Sequence, residues 1–486
     1  MHTCSPNPGL TWLAGLLLAS SGFTACSAGG EADDDSSPDD DVAGDDDVAG
    51  DDDVTGDDDA TAGDDDATAD DDTTPAPEGC DDGVCILSGT LTQDLRLTPD
   101  YAWLLRGGVF IGDDQNETVL TVDPGTVVYG ETSTVGMLVI TRGSKIVANG
   151  TAGEPIVFTS SKAPGSRAPG DWGGLIINGR ATLNTGTEAF GEGGTGWFGG
   201  TDDADSSGSL QYVRVEFAGQ LLSPDNELNG IAFQGVGSGT VIDHVQAHMG
   251  ADDGVEFFGG TAQWKHVLVT GPVDDGFDWT DGWRGKGQFG LVQQYADLGD
   301  NGVEADNNAE DNDAGPRSHP LLSNLTIIGS PDSAASDLGI LLREGTAGNV
   351  HNSLFLGFND VGISIDHVAT YTNAWNGAGI TGELTIDRSI FANATNFESG
   401  YDFAPPFGVE EFVTSLCTGN QIVADAGSLL DAAFDPSAPG FAPAAGSPAL
   451  TGALVPSDAF FDAVTFRGAV DPASDWTQGW TTTAPN

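Results

Sequence analysis

Positive charge is what this 486-residue chain has least of: 15 Lys and Arg stand against 75 Asp and Glu, a formal charge of −60. Phosphate backbones are held by clustered Lys and Arg, so nucleic acid is excluded as a partner and cations, or surfaces bridged by cations, are favoured. Cysteine is also scarce, five residues with no CxxC pair, which argues against structural zinc. No long hydrophobic run occurs. The most apolar stretch, "LTWLAGLLLASSGFTAC" (residues 10–26), is too short to span a bilayer as a mature helix. From about residue 100 almost nothing follows the 3.6-residue period of an amphipathic helix.

What is present reads first as an address. Small residues run up to Cys26, and "FTAC" resembles the lipobox of bacterial lipoproteins, in which the Cys becomes the lipidated amino terminus. Residues 1–25 are therefore expected to be a lipoprotein signal peptide, with Cys26 lipidated and Ser27 directing the protein to the outer membrane or cell surface. Phe23 stands where Leu is usual, and no Lys or Arg precedes Leu10, so ordinary signal-peptidase cleavage is the alternative. Residues 31–74 then hold one Glu and seven Asp triplets, 22 acids with no Lys or Arg. Such a segment repels itself and has too little apolar surface to repay ordering, so residues 26–78 are expected to be a disordered acidic linker. "CDDGVC" allows a Cys80–Cys85 disulfide at the domain entrance, leaving Cys417 an odd thiol or an alternative partner.

Beyond this lie short apolar runs bounded by Gly, Asn and Asp: "GTVVYG", "MLVITRGSKIVANG", "PIVFTSS", "GLIINGRATLN". Aligning on Gly230, Gly254, Gly276, Gly302, Gly339 and Gly362 gives steps of 24, 22, 26, 37 and 23 residues. The residue after each Gly is apolar (Ile231, Val255, Phe277, Val303, Ile340, Ile363), and two further on come Phe233, Phe257, Trp279, Ala305, Leu342 and Ile365. That alternation is a strand with one face in a dry core. A second strand follows about a dozen residues later, as in "HVQAHMG" and "HVLVTGP". One strand pair per turn of this length predicts an all-β fold, a right-handed parallel β-helix (solenoid). The 37-residue step is a coil carrying "EADNNAEDNDAGPRSHP" or "SPDSAASD" as a loop. The expected organisation is an N-terminal cap region over 79–117, the β-helix over 118–400, and last coils with a C-terminal cap over 401–486.

The strings "LVITRGSKIVANGTAGEPIVFTSS", "DWGGLIINGRATLN", "FGGTDDADSSGSLQYVRVEFAG", "DDGVEFFGGTAQWKHVLV", "DDGFDWTDGWRGKGQFGLVQ" and "DWTQGW" resemble a family of exported bacterial proteins, often lipoproteins, with a predicted parallel β-helix. The resemblance covers about residues 118–480 and implies fold and location, with no activity and no catalytic residues.

Between the two inward residues of each coil lies one outward residue: Ala232, Glu256, Asp278, Glu304, Leu341, Ser364. Three successive carboxylates then stack at the ~4.8 Å spacing of neighbouring strands, with Asp253, Asp275 and Asn301 beside them and Asp306 further out. One reading makes this a solvated acidic face of an envelope protein with no specific site. A second makes Asp253, Glu256, Asp275, Asp278, Glu304 and Asp306 a Ca2+ site, since a hard ion takes six to eight oxygens. A third makes Glu256, Asp278 and Glu304 candidate catalytic carboxylates of a glycoside hydrolase or lyase, with neighbouring coils at the roughly 5 Å of a retaining pair. A lyase also wants a base, and Arg284, Lys286, Arg317 and Arg343 are near in sequence at no diagnostic spacing.

His244 and His266 occupy one second-strand position 22 residues apart and are expected to stack outward near His248, as a polar ladder more than a metal site. "DADSSG" (203–208) opens like an EF-hand but puts Arg214 where a Glu is required. "GEGGTGWFGG" is expected to be a flexible loop presenting Trp197 and Phe198, an aromatic signature of sugar binding. The favoured function is binding of extracellular polysaccharide or another surface, assisted by Ca2+, with membrane attachment through the lipid; enzymatic degradation is the alternative.

Overall fold

A computed structural model describes residues 80–224, 226–398 and 403–486. The expected signal peptide, Cys26 and the 26–78 linker lie outside the described residues. From residue 80 onward the chain winds as a parallel β-helix with three faces. On the first face, Met137–Ile140, Gly174–Asn178, Ile231–Gln234, Val255–Phe258, Phe277–Thr280, Val303–Ala305, Leu341–Leu342 and Ser364–Ile365 stack one above another in parallel register. The outward row is Ala232, Glu256, Asp278, Glu304, Leu341 and Ser364 in directly paired positions.

The second strand of each repeat turns out to be two faces. Val241–His248, Gln263–Thr270 and Lys286–Gln293 bend in the middle, at His244 (φ 57°), His266 (φ 51°) and Phe289 (φ 63°). In later coils the bend divides the strand outright, as Leu321–Ser323 and Thr326–Ile328 around Asn324 (φ 58°). A left-handed non-glycine residue costs about 1–2 kcal/mol, and the coils from Tyr212 to Arg388 each carry one at the same corner. Stacking offsets the cost: Tyr212, His244, His266 and Phe289 lie face to face at 4.4, 4.3 and 4.9 Å between ring centroids. The inward positions step from Ile242 to Val245 and from Trp264 to Val267, three residues where a straight strand takes two, so the corner shifts the alternation by one.

Inside, the alternation behaves as expected: Phe233, Phe257 and Trp279 are buried, with Phe233 stacked on Phe257 at 5.2 Å and Phe257 on Trp283 at 4.3 Å. The repeated glycines are required by close approach. A Cβ on Gly276 would sit 2.6 Å from the Gly302 carbonyl oxygen, and one on Gly302 2.8 Å from that of Gly339. Each coil rests its glycine directly on the next.

Parallel pairing reaches further back than residue 118, since Val84–Leu91 already stacks on Ala102–Ile111. The long step is accommodated by the segments 306–320 and 329–340 between strands. Cys80 and Cys85 form a disulfide at the entrance, and Cys417 is free and buried. Phe407, Val409, Phe412 and Val413 close the far end of the core. The chain then returns along the bent corner. Leu454 N donates to Asn352 Oδ1 (2.7 Å), Asp462 N to Gln288 Oε1 (2.8 Å) and Thr482 N to Gln246 Oε1 (2.9 Å). Near its end the Trp480 carbonyl accepts from Arg214 (2.7 Å). Among the described residues no helix is long and apolar enough to cross a membrane.

Candidate functional site

The first face carries the site. Glu256, Asp278 and Glu304 project from three successive strands, and the turns that lead into those strands contribute Asp253, Asp275 and Asn301. The turn residues form a second ladder through the backbone. Asn229 Oδ1 accepts from Asp253 N–H (3.3 Å), Asp253 Oδ1 from Asp275 N–H (3.0 Å), and Asp275 Oδ1 from Asn301 N–H (2.6 Å). One oxygen of each Asp is thus committed to holding coils in register.

The two rows converge. Asp253, Glu256 and Asp278 offer carboxylate oxygens within 4.8 Å of one another, as do Asp275, Asp278 and Glu304. An outer pair of groups, Asp252–Asp253–Asp274 and Asp274–Asp275–Asp300, meets the same criterion. Asp278 belongs to both inner groups, and its Oδ1 is enclosed without a hydrogen-bond partner.

A solvated face is not what forms. Asp253, Glu256 and Asp275 are 6%, 8% and 4% exposed. Two hairpins, Ala189–Gly191 with Gly196–Phe198 and Gln220–Ser223 with Asn226–Leu228, adjoin the N-terminal end of the row. They dock through a Gly193 N–H to Asn226 Oδ1 bond (2.7 Å), and Phe198 packs on Phe258 at 6.2 Å. They also bring Glu192 and Glu227 close enough to act on Asp252.

Burial, followed by repulsion from neighbouring carboxylates, raises Asp253, Glu256, Asp275 and Asp278 well above the usual carboxylate range. Glu304 is pushed up to about 7, chiefly by burial, despite the opposing charge of Arg343. Burial likewise lifts Asp252 to about 7 and Asp300 to about 6. Counter-charge is sparse: Arg343 pairs with Glu304 at the C-terminal end, and at the other end Asn229 Nδ2 donates to Glu256 Oε2 (2.5 Å).

Of the six expected metal ligands, five come together. Asp306 does not join them, because both its oxygens are taken by Arg343 (3.0 and 3.1 Å). Arg343 is therefore a charge clamp on Asp306 and Glu304, and Arg284, Lys286 and Arg317 are occupied by Asp203, Asp458 and Asp313. Asn229 and Arg343 are the site residues that the repeat alignment missed. Asn229 was within reach, since it precedes Gly230 as Asp253, Asp275 and Asn301 precede their glycines.

The remaining candidates resolve differently. His244 and His266 stack, but Trp476 and Trp480 of the returning tail lie edge-on against them, and both Nδ1 atoms meet Asp243 Oδ1 (3.0 and 2.7 Å). They are covered, contrary to the outward expectation, because the tail needs an aromatic surface to lie on. His248 is buried between Thr270 Oγ1 and the Ala484 carbonyl (2.7 Å each). In the 189–198 hairpin, strand alternation exposes Trp197 and buries Phe198; the exposed partner of Trp197 is Phe190, at 5.2 Å. Asp203 pairs with Arg284 and accepts from Thr182 N–H, a structural role.

Strands stacked in parallel register, coil upon coil, define the class of the parallel β-helix proteins. More particularly, the chain belongs to the family described as the pectate-lyase like beta helix domain, which matches residues 89–426. No curated protein and no solved structure matches it.

Proposed function

We propose that the chain is an exported surface protein, anchored through lipidated Cys26, whose first β-helix face binds extracellular polysaccharide with a Ca2+-type cation held in the carboxylate row. The observation that carries this reading is Asp278, whose enclosed Oδ1 has no partner although it lies where two carboxylate groups meet. A buried acceptor left unpaired costs about 1–3 kcal/mol or more, and a cation there satisfies it. The donor set fits a hard ion: it is all oxygen, and oxygens on opposite sides of a Ca2+ ion lie about 5 Å apart. Asp253, Glu256, Asp275, Asp278 and Glu304 are the residues that would hold it. The family and the Trp197–Phe190 pair beside this face support a glycan as the surface bound.

The catalytic alternative needs a sugar to reach Glu256, Asp278 and Glu304, and the burial of Glu256 counts against it. Titration of EDTA-treated protein with Ca2+ at pH 8 tests the cation. A saturable heat with a rise in melting temperature is expected; no response to millimolar Ca2+ overturns it.

A further inference from the structure

Beyond Glu304 the outward row loses its charge at Leu341, and a cavity of about 350 Å3 opens on the same face. Its apolar lining is Leu338, Leu341, Val361 and Phe397; its polar lining is Asp360, Ser364, Asp366, Thr395 and Glu398, with no basic residue. We infer that this cavity is a subsite for a neutral hexose unit of a glycan, and that it rejects uronic acids. The inference rests on the glycan-binding reading above and adds the kind of sugar.

The shape suits the ligand. Small-molecule sites begin at about 300 Å3 and combine apolar walls with a few placed polar groups. A pyranose has an apolar face for Leu341 and Phe397, and hydroxyls that donate to carboxylates. Neither Asp360 nor Asp366 makes a side-chain hydrogen bond or ion pair among the described residues, and both act electrostatically on Glu398, so the three carboxyls lie together. Glu398 accepts from Ser364 Oγ, which fixes it at the wall. Carboxylates accept from hydroxyls and form their stronger, charge-assisted hydrogen bonds that way. A uronate would bring a further negative charge among them. Arg343, on the coil that supplies Leu341, is committed to Glu304 and Asp306.

The test is calorimetric titration of the full chain, in Ca2+ and again in EDTA, with neutral gluco-, galacto- and manno-oligosaccharides and with oligogalacturonate. At least one neutral series is expected to bind in both buffers, and oligogalacturonate not to bind in EDTA. The exposed-rim variant Asp360→Ala/Asp366→Ala, unchanged in melting temperature, is expected to lose tenfold or more in affinity, the loss of one charge-assisted bond being about 1.5–3 kcal/mol. Oligogalacturonate binding in EDTA as tightly as any neutral series overturns the subsite while leaving glycan binding intact. So does neutral-sugar binding that the double variant leaves unaltered. No binding by any oligosaccharide overturns both readings together.

Discussion

Replacing Asp278 by Asn keeps the shape of the side chain and removes one charge from the middle of the row. Asp278 faces Glu256 on one coil and Glu304 on the next. At the ~4.8 Å strand spacing, two ionised carboxylates repel by about 3 kcal/mol at an effective dielectric of 20. Protonation relieves this at a cost that depends on pH. For Glu304, a lift from 4.5 to about 7 corresponds to about 3 kcal/mol at pH above 7, one pKa unit being 1.36 kcal/mol. The sign follows from proton binding. A carboxyl raised in the folded state holds its proton where the unfolded chain has released it, so stability falls as pH rises from about 4.5 to 7 and stays low above. In EDTA at pH 8 the Asp278→Asn protein should therefore be more stable than wild type by about 2–4 kcal/mol. At pH 5, where the row already carries protons, the difference should shrink towards zero. At a thousandfold excess of Ca2+ over Kd the advantage should be cancelled or reversed, because only wild type gains the RT ln(1 + [L]/Kd) of a bound ion, about 4.1 kcal/mol there. Scanning calorimetry at both pH values, with EDTA and with Ca2+, reads all four states. Equal or lower stability of Asp278→Asn in EDTA at pH 8 would refute the reasoning.

Three further outcomes follow from the same geometry. Gly276→Ala should destabilise by about 1–3 kcal/mol or more, because its Cβ meets the Gly302 carbonyl at 2.6 Å; denaturant melts check it. Arg343→Gln should cost about 3–5 kcal/mol at pH 8 in EDTA, by leaving Glu304 and Asp306 unpaired, and less at pH 5, as the same melts would show. Trp480→Ala should cost about 3–5 kcal/mol, since Trp480 is 1% exposed against Tyr212 and His244. It should also speed hydrogen exchange along the bent corner.

The first face was legible down to single residues. Glycine before each strand and alternation after it set the register, and the structure pairs Glu256 with Asp278 and Asp278 with Glu304 as the alignment requires. The third face was hidden because His244 and His266 turn the chain without Gly or Pro, and the only trace they leave in the sequence is a three-residue step between the inward Ile242 and Val245 and between Trp264 and Val267. Burial of the carboxylates was illegible for another reason. Local pattern marks Glu256 as outward, while its cover depends on hairpins whose docking rests on Gly193 and Asn226, distant in sequence. The tail escaped notice because "DWTQGW" shows no period linking Trp476 and Trp480 to the histidines they cover.

That tail changes how the molecule must assemble. Coils that touch only their neighbours can zip up one at a time, and can come apart the same way. Here residues 454–486 tie together coils from Asn352 back to Arg167. This segment thus completes contacts with coils that precede it by 319 residues, from Arg167 to Asn486. Closing contacts so distant in sequence is slow. The finished solenoid should accordingly open as one unit, held by a clasp made long after the coils it joins.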